Sequence, residues 1–271
     1  MKLNIGVFLV VLTLILLTAC KRECRTVKEY YENGNDKVVE YYSDCNDTST
    51  YKSQTFYENG MISSEGFFVS GVKHGKFKTW SENGVLISDW EMIDGMEHGF
   101  IQCWHENGIK KKELTVNMEV KDGVFQEWDE NGKLIIDGKY KNGKKDGKWT
   151  LWEEDGTWRF WTFVDDVKWG NTYEYLVDSS DTNHVFGQYE NGLEVGLWKW
   201  FDKDSILSTT AEYTEGEYTG EYIEYFKNGN VKSKGNLINS KYDGEVILFN
   251  EKGIIIDKSY YKNGVKKADK N

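Results

Sequence analysis

The stretch Gly123-Val124-Phe125-Gln126-Glu127-Trp128-Asp129-Glu130-Asn131-Gly132-Lys133-Leu134-Ile135-Ile136-Asp137-Gly138-Lys139-Tyr140-Lys141-Asn142-Gly143-Lys144-Lys145-Asp146-Gly147 carries the plan of the whole chain. Two turn signals, Asn131-Gly132 and Asn142-Gly143, divide it into two short strands, and it ends on the glycine with which it began. Stacked on that glycine, the sequence falls into register at Gly75, Gly99, Gly123, Gly147, Gly170, Gly196, Gly220 and Gly244, with intervals of 24, 24, 24, 23, 26, 24 and 24 residues. A fixed period of this size marks a repeat array, in which each unit buries its apolar row only against its neighbours.

A second series marks the turn inside each unit: Gly34, Gly60, Gly84, Gly108, Gly132 and Gly156, then Ser205, Gly229 and Gly253. The preceding residue is repeatedly Asn, and a hairpin tip needs the positive φ that Gly and Asn tolerate. The other turn, for example from Gly71 to Gly75 or Gly192 to Gly196, reads as a looser connection to the next strand. Strands of about 5–7 residues result, and nothing between the turns has the length or the 3.6-residue period of a helix.

Large side chains repeat with the glycines. Five residues past the boundary lie Trp80, Trp104, Trp128, Trp152, Tyr175, Phe201, Tyr225 and Phe249. Two residues past it lie Phe77, Ile101, Phe125, Trp149, Thr172, Trp198, Tyr222 and Val246. If the tip is a three-residue turn with Gly last, Trp80 faces Leu86 and Trp152 faces Trp158; a two-residue turn would pair Trp80 with Ile87. Both registers remain open from sequence. In either, the rows form ladders across the sheet, since one hairpin alone is not stable.

Composition agrees with this reading. The 271 residues include 27 Gly, no Pro, 11 Trp, 17 Tyr and 13 Phe, which excludes collagen-like and proline-rich chains. The formal charge of -11 argues against nucleic acid, whose phosphates call for basic surface.

At the start of the chain Lys2 precedes an apolar run, Ile5 to Leu17, that is too short for a spanning helix and reads as a secretory signal peptide. The run closes on Leu17-Thr18-Ala19-Cys20, which resembles the lipobox of bacterial lipoproteins. That resemblance implies cleavage before Cys20, lipidation of Cys20, a lipid anchor to a bacterial membrane, and an extracytoplasmic location for the rest; Lys21, where Asp would retain the protein at the inner membrane, points to the outer one. The chain then divides into a leader (1–19), a tether with a degenerate first hairpin (20–50), and the repeat domain (51–271). Cys24 and Cys45 flank the first hairpin in a compartment that permits disulfides, so they either pair or remain two free thiols.

The recurring Gly-x-[Phe/Trp]-x-x-[Trp/Tyr]-x-Glu-Asn-Gly-x-Leu, closed by Asn-Gly-x-x-x-Gly, resembles the MORN repeat variant of bacterial proteins over about 51–267. The resemblance implies an all-β, elongated, twisted antiparallel meander of tandem β-hairpins of about 24 residues, used as a scaffold or binding surface. Some proteins with this variant are antitoxin components of toxin-antitoxin systems, so the resemblance also offers a second role, binding and neutralising a toxin. The pattern loses Gly at Glu119, Ser205 and Ser240, and the unit from 171 to 196 has a longer tip.

No catalytic constellation stands out. His74 and His98 share a turn position with Asp122, Asp146 and Asp243, His105 lies at a tip and His184 in the irregular unit; none has metal-ligand spacing. Glu58, Glu82, Glu106 and Glu130 recur at one tip position, as solvated turn residues do. The expectation is a non-enzymatic protein without cofactor or metal, acting on a protein or envelope-polymer partner. The least repetitive stretch, 149–175, is the richest in aromatics, among them Trp149, Trp152, Trp158, Trp161 and Trp169. These either fill the buried face of a distorted sheet or form an exposed patch for a partner.

Overall fold

A computed structural model describes residues 23–177 and 184–268. The leader and Cys20, and the tip residues 178–183, lie outside the described residues. The described chain forms one open sheet of 24 strands, from Cys24–Tyr30 to Val265–Lys266, in which every pairing is antiparallel and joins either consecutive strands or strands separated only by a two-residue strand. It is an all-β meander, and among the described residues no helix is long and apolar enough to cross a membrane.

The tip register is the three-residue one. Trp80 pairs with Leu86, the Ser81 N–H donates to Val85 O at 2.8 Å, and the Gly84 N–H donates to Ser81 O at 2.9 Å. This is a type I turn closed by a left-handed residue, Gly84 at φ +79°. Asn83 keeps negative φ, so its value here is not tolerance of the left-handed region. The tip asparagines accept instead from the backbone two residues on, as Asn59 Oδ1 does from the Met61 N–H at 2.8 Å. Their amides then reach the next tip: Asn59 Nδ2 donates to Glu82 O at 3.2 Å and Asn107 Nδ2 to Glu130 O at 2.7 Å.

The second turn is tighter than its glycine spacing suggests. Val69 pairs directly with Val72, and Ser70 and Gly71 both have positive φ, which defines a two-residue type I′ turn. Its second residue donates a backbone hydrogen bond to the preceding unit, from Gly95 to Lys73 O at 2.9 Å and from Gly143 to Lys121 O at 2.8 Å. The apparent looseness belongs to a bulge that follows, where the boundary glycines take positive φ. At the described turns, both ends of the hairpins are thus tied to neighbours by hydrogen bonds.

Past each tip a further residue bulges. Trp80 pairs with Leu86 but Thr79 with Ser88, leaving Ile87 unpaired, and the same shift recurs at Lys111 and Ile135. Two hairpins in succession are exceptions: the register of Gly147–Trp152 with Trp158–Val164 runs unbroken from Gly147/Phe163 to Trp152/Trp158, and that of Gly170–Tyr175 with His184–Glu190 from Gly170/Tyr189 to Tyr175/His184. The 23-residue interval from Gly147 to Gly170 is the missing bulge residue of the first.

One face carries the core. Phe77, Phe125, Trp149, Trp198 and Val246, the row two past the boundary glycines, are buried. Three of them, Phe77, Trp149 and Trp198, sit over a glycine of the preceding strand, whereas Phe125 faces Leu114. A Cβ added at Gly66 would lie 2.0 Å from the Phe77 ring, at Gly138 2.3 Å from the Trp149 ring, and at Gly187 2.2 Å from the Trp198 ring. Trp149 also donates from Nε1 to Lys139 O at 3.0 Å. The rings continue across the sheet through Tyr140, 5.5 Å from Phe125 and 5.0 Å from Trp149 between centroids. Lysine arms from the type I′ end roof the row: Lys121 Nζ lies 4.7 Å from the Tyr140 ring and Lys145 Nζ 4.6 Å from the Trp149 ring. A disulfide joins Cys24 to Cys45, with Cα atoms 5.4 Å apart, and closes the first hairpin.

Two predictions follow from this packing. Gly138→Ala places a methyl group inside the Trp149 ring, and overpacking of this kind costs about 1–3 kcal/mol; urea unfolding would show the loss, whereas Gly253→Ala, with nothing near its Cβ, lacks the clash and costs only backbone strain. Burial on the same face pushes Tyr189 and Tyr222 up to about 12. Their folded pKa lies above the unfolded value, so the folded chain holds protons that the unfolded chain releases. Stability is therefore full below about pH 10 and is lost as pH rises toward 12, which urea midpoints measured across that window, beside tyrosinate absorbance, would record.

Candidate functional site

Opposite the core face, one central row can be followed strand by strand through the pairing. In the first half it is a polar ladder: Gln54 donates to Glu65 at 2.6 Å, Lys78 pairs with Asp89 at 3.3 Å, Gln102 donates to Glu113 at 2.8 Å and Gln126 to Asp137 at 2.8 Å. The side chains face one another because the residues are direct cross-strand partners. The Lys110 hydrogen bond first, and the Gln102 hydrogen bond beside it, hold the Glu113 carboxyl below its ordinary range, against burial, which acts to raise it.

The row then changes character. Where the acids stood, the first bulge-free hairpin places Phe160 opposite Thr150, and the next strands continue with Tyr173 opposite Phe160 and Phe186 opposite Tyr173. The rings pack at 6.3 Å between Phe160 and Tyr173 and 4.4 Å between Tyr173 and Phe186, with Phe201 5.6 Å beyond Phe186. Phe186 and Leu197 remain 44% and 49% exposed, so the cluster is a surface and not a second core. A groove of about 570 Å³ runs beside these rings, with the amides of Asn171 and Gln188 hydrogen-bonded to each other at 3.0 Å and Lys199 on its rim.

Polar groups fix the edge of the cluster. Tyr173 Oη hydrogen-bonds to His184 Nδ1 at 2.5 Å, and His184 Nε2 to Ser205 Oγ at 2.9 Å. Ser205 takes φ +59° at a position where other tips have glycine. Burial pushes the Tyr173 hydroxyl up from its ordinary value. Among the described residues no group of three His, Cys, Asp or Glu side chains is placed to hold a metal ion.

The tryptophans singled out from sequence fall on different surfaces. Trp149 is buried over Gly138 and belongs to the core, so it is closed to a partner. Trp161 pairs with Trp149 and is partly covered by Lys168, whose Nζ lies 4.9 Å from its ring; burial pushes the Lys168 ammonium down. Trp152 and Trp158 pair across the tip, half-buried, and Trp158 touches the ring cluster at 4.7 Å from Tyr173. Trp169 is 41% exposed at the type I′ end. Phe186 and Phe201 lie beyond the 149–175 stretch and were missed. Aligning the units would have exposed them, because the column Glu65, Asp89, Glu113, Asp137 becomes Phe160 and then Phe186.

The change of column makes a direct test. Phe186→Glu restores the acid of the earlier units at a half-exposed position, and the chain is expected to keep its far-ultraviolet circular dichroism and unfold within about 1 kcal/mol of the parent. A collapse of the sheet would show instead that the ring cluster is structural.

Comparison with known proteins places the repeats. The family model described as "MORN repeat variant" matches residues 52–70, 73–94, 121–142 and 218–239. Repeats of this kind generally bind proteins or membranes. No curated protein matches the chain. One solved structure, titled "Crystal Structure of TcdB2-TccC3-Cdc42", is 8% identical over 85% of this chain and 17% of that chain, with a TM-score of 0.16, a likeness too slight to carry any argument.

Proposed function

We propose that this chain, which belongs to the MORN-repeat-variant family, is a membrane-tethered, non-enzymatic repeat protein whose open sheet face binds a protein or polymer of the bacterial envelope. The observation that carries the reading is the half-exposed ring cluster of Phe160, Tyr173 and Phe186, which follows directly on the polar ladder of the first half of this face. Apolar rings left on a surface are a cost in solvent unless a partner covers them. The meander supplies rigidity: residues on neighbouring strands are fixed by the pairing, so a binding surface is preorganised at little entropic cost.

The tether rests on the lipobox-like Leu17-Thr18-Ala19-Cys20. One acyl chain gives reversible membrane binding and two or more hold stably, so lipidation of Cys20 would keep the sheet at the membrane surface. The disulfide between Cys24 and Cys45 supports an oxidising compartment, where such bonds persist.

Membrane fractionation with mass spectrometry tests the tether: the native chain is expected in the membrane fraction with an acylated Cys20, and Cys20→Ala in the soluble fraction. An unmodified Cys20 in a cytoplasmic protein would refute it. For the surface, cross-linking in intact envelopes should capture a component that Phe186→Glu fails to capture; equal capture by both would refute the assignment of the face.

A further inference from the structure

We propose that the groove beside Phe186 is a saccharide-binding site, which takes a short stretch of a linear glycan and so specifies the chemistry of the envelope partner; the proposal rests on the reading of this face as the binding surface. The first observation is electrostatic. The chain carries 45 Asp and Glu residues and a formal charge of -11. Other grooves on it hold carboxylates: Glu82 and Glu106 in one, Glu127 and Glu130 in another, Glu221 and Glu245 in a third. The groove beside Phe186 is lined by none. Lys199 is the one charged residue of its lining; outside the lining, Lys148 Nζ lies 4.4 Å over the Phe160 ring and Glu212 stands across from Leu197. The occupant is therefore neutral or anionic.

Size argues against a protein. The rings and amides span four strands, Trp158–Val164, Gly170–Tyr175, His184–Glu190 and Leu193–Phe201. At about 4.8 Å between strands and about 7 Å between residues on one face, the patch measures roughly 15 by 14 Å. That is about 200 Å², against the roughly 800 Å² that each side of a standard protein interface buries. A few sugar rings fit such an area.

The chemistry is that of a sugar. A pyranose offers a flat face of C–H groups and a rim of hydroxyls. Phe160, Phe186 and Phe201 offer ring surface to the first, and Asn171 and Gln188 the second. Each amide has two donors and two acceptor lone pairs, and the single hydrogen bond between Asn171 and Gln188 leaves most of that capacity free. The Lys199 ammonium adds donors and would also donate to a uronate carboxylate. A lipid acyl chain would leave these amides unpaired, and burying unpaired polar groups costs about 1–3 kcal/mol each.

Isothermal titration of the full chain with three probes, chitohexaose, cellohexaose and a hyaluronan hexasaccharide, decides the matter. Binding of at least one is expected, weakened about tenfold by Phe186→Ala, the loss of one ring contact, and comparably by Asn171→Ala, which removes a hydrogen-bonding amide without touching the rings. Phe100→Ala, a ring 60% exposed on the same face outside the groove, should bind like the parent. The proposal falls if none of the three probes binds, or if Phe100→Ala weakens binding as much as Phe186→Ala. Envelope capture that is lost in Phe186→Glu while no saccharide binds would leave the binding face standing and overturn only its ligand.

Discussion

The structure depends on a ring lying flat on a strand where no side chain intervenes. A sheet one layer thick has no second layer against which to bury its apolar face, so the core must be made between adjacent strands of the same sheet. A large ring at Phe77, Trp149 or Trp198 needs the space that Gly66, Gly138 or Gly187 leaves on the preceding strand. Burying such a ring contributes about 1.5–3 kcal/mol, and the contribution exists only if the neighbouring hairpin is present. This makes stability a property of neighbouring pairs and explains why units must occur in series.

That constraint shapes the rest of the hairpin. The tip must hold a three-residue turn so that Trp80 meets Leu86, and the opposite end a type I′ turn, because each other choice of register would move the rings to the wrong face. Left-handed residues such as Glu119 and Ser240 persist at the second position of the type I′ turn at some conformational cost. The backbone hydrogen bond from Glu119 to Glu97 O, at 2.8 Å, holds that geometry from the neighbouring unit. Core, turns and inter-unit hydrogen bonds therefore enforce one register together.

Much of this was legible in the sequence because it repeats. The boundary glycines, the Trp80 row and the Phe77 row reveal the period, the hairpins and the buried row without any coordinates. What stayed hidden was set by two-versus-one residue counts between strands. The bulge at Ile87 has no signature of its own, since Lys111 and Ile135 occupy the same place with unlike chemistry. Gly66 and Gly138 read as ordinary strand glycines until the Phe77 and Trp149 rings are seen above them. The ring patch was half legible: the aromatic richness of 149–175 was plain, but richness does not separate Trp149 in the core from Phe160 on the opposite face.

The same count of residues links the irregular unit to the binding face. In the units before Gly147 the bulge past the tip leaves the central row of the open face with a Gln or Lys opposite an acid, a pairing that solvent and cross-strand hydrogen bonds both satisfy. Removing the bulge between Trp152 and Trp158 makes the strands run without a break, and Phe160 enters the row against Thr150. Tyr173 and Phe186 then extend it in the following strands, where a return to acids would have placed a carboxylate against a ring face, whose quadrupole repels negative charge. One deleted residue thus begins a run of rings in a row that the preceding units keep polar. A regular array, in which every unit is equivalent, has no distinguished place to bind; the break in period supplies one.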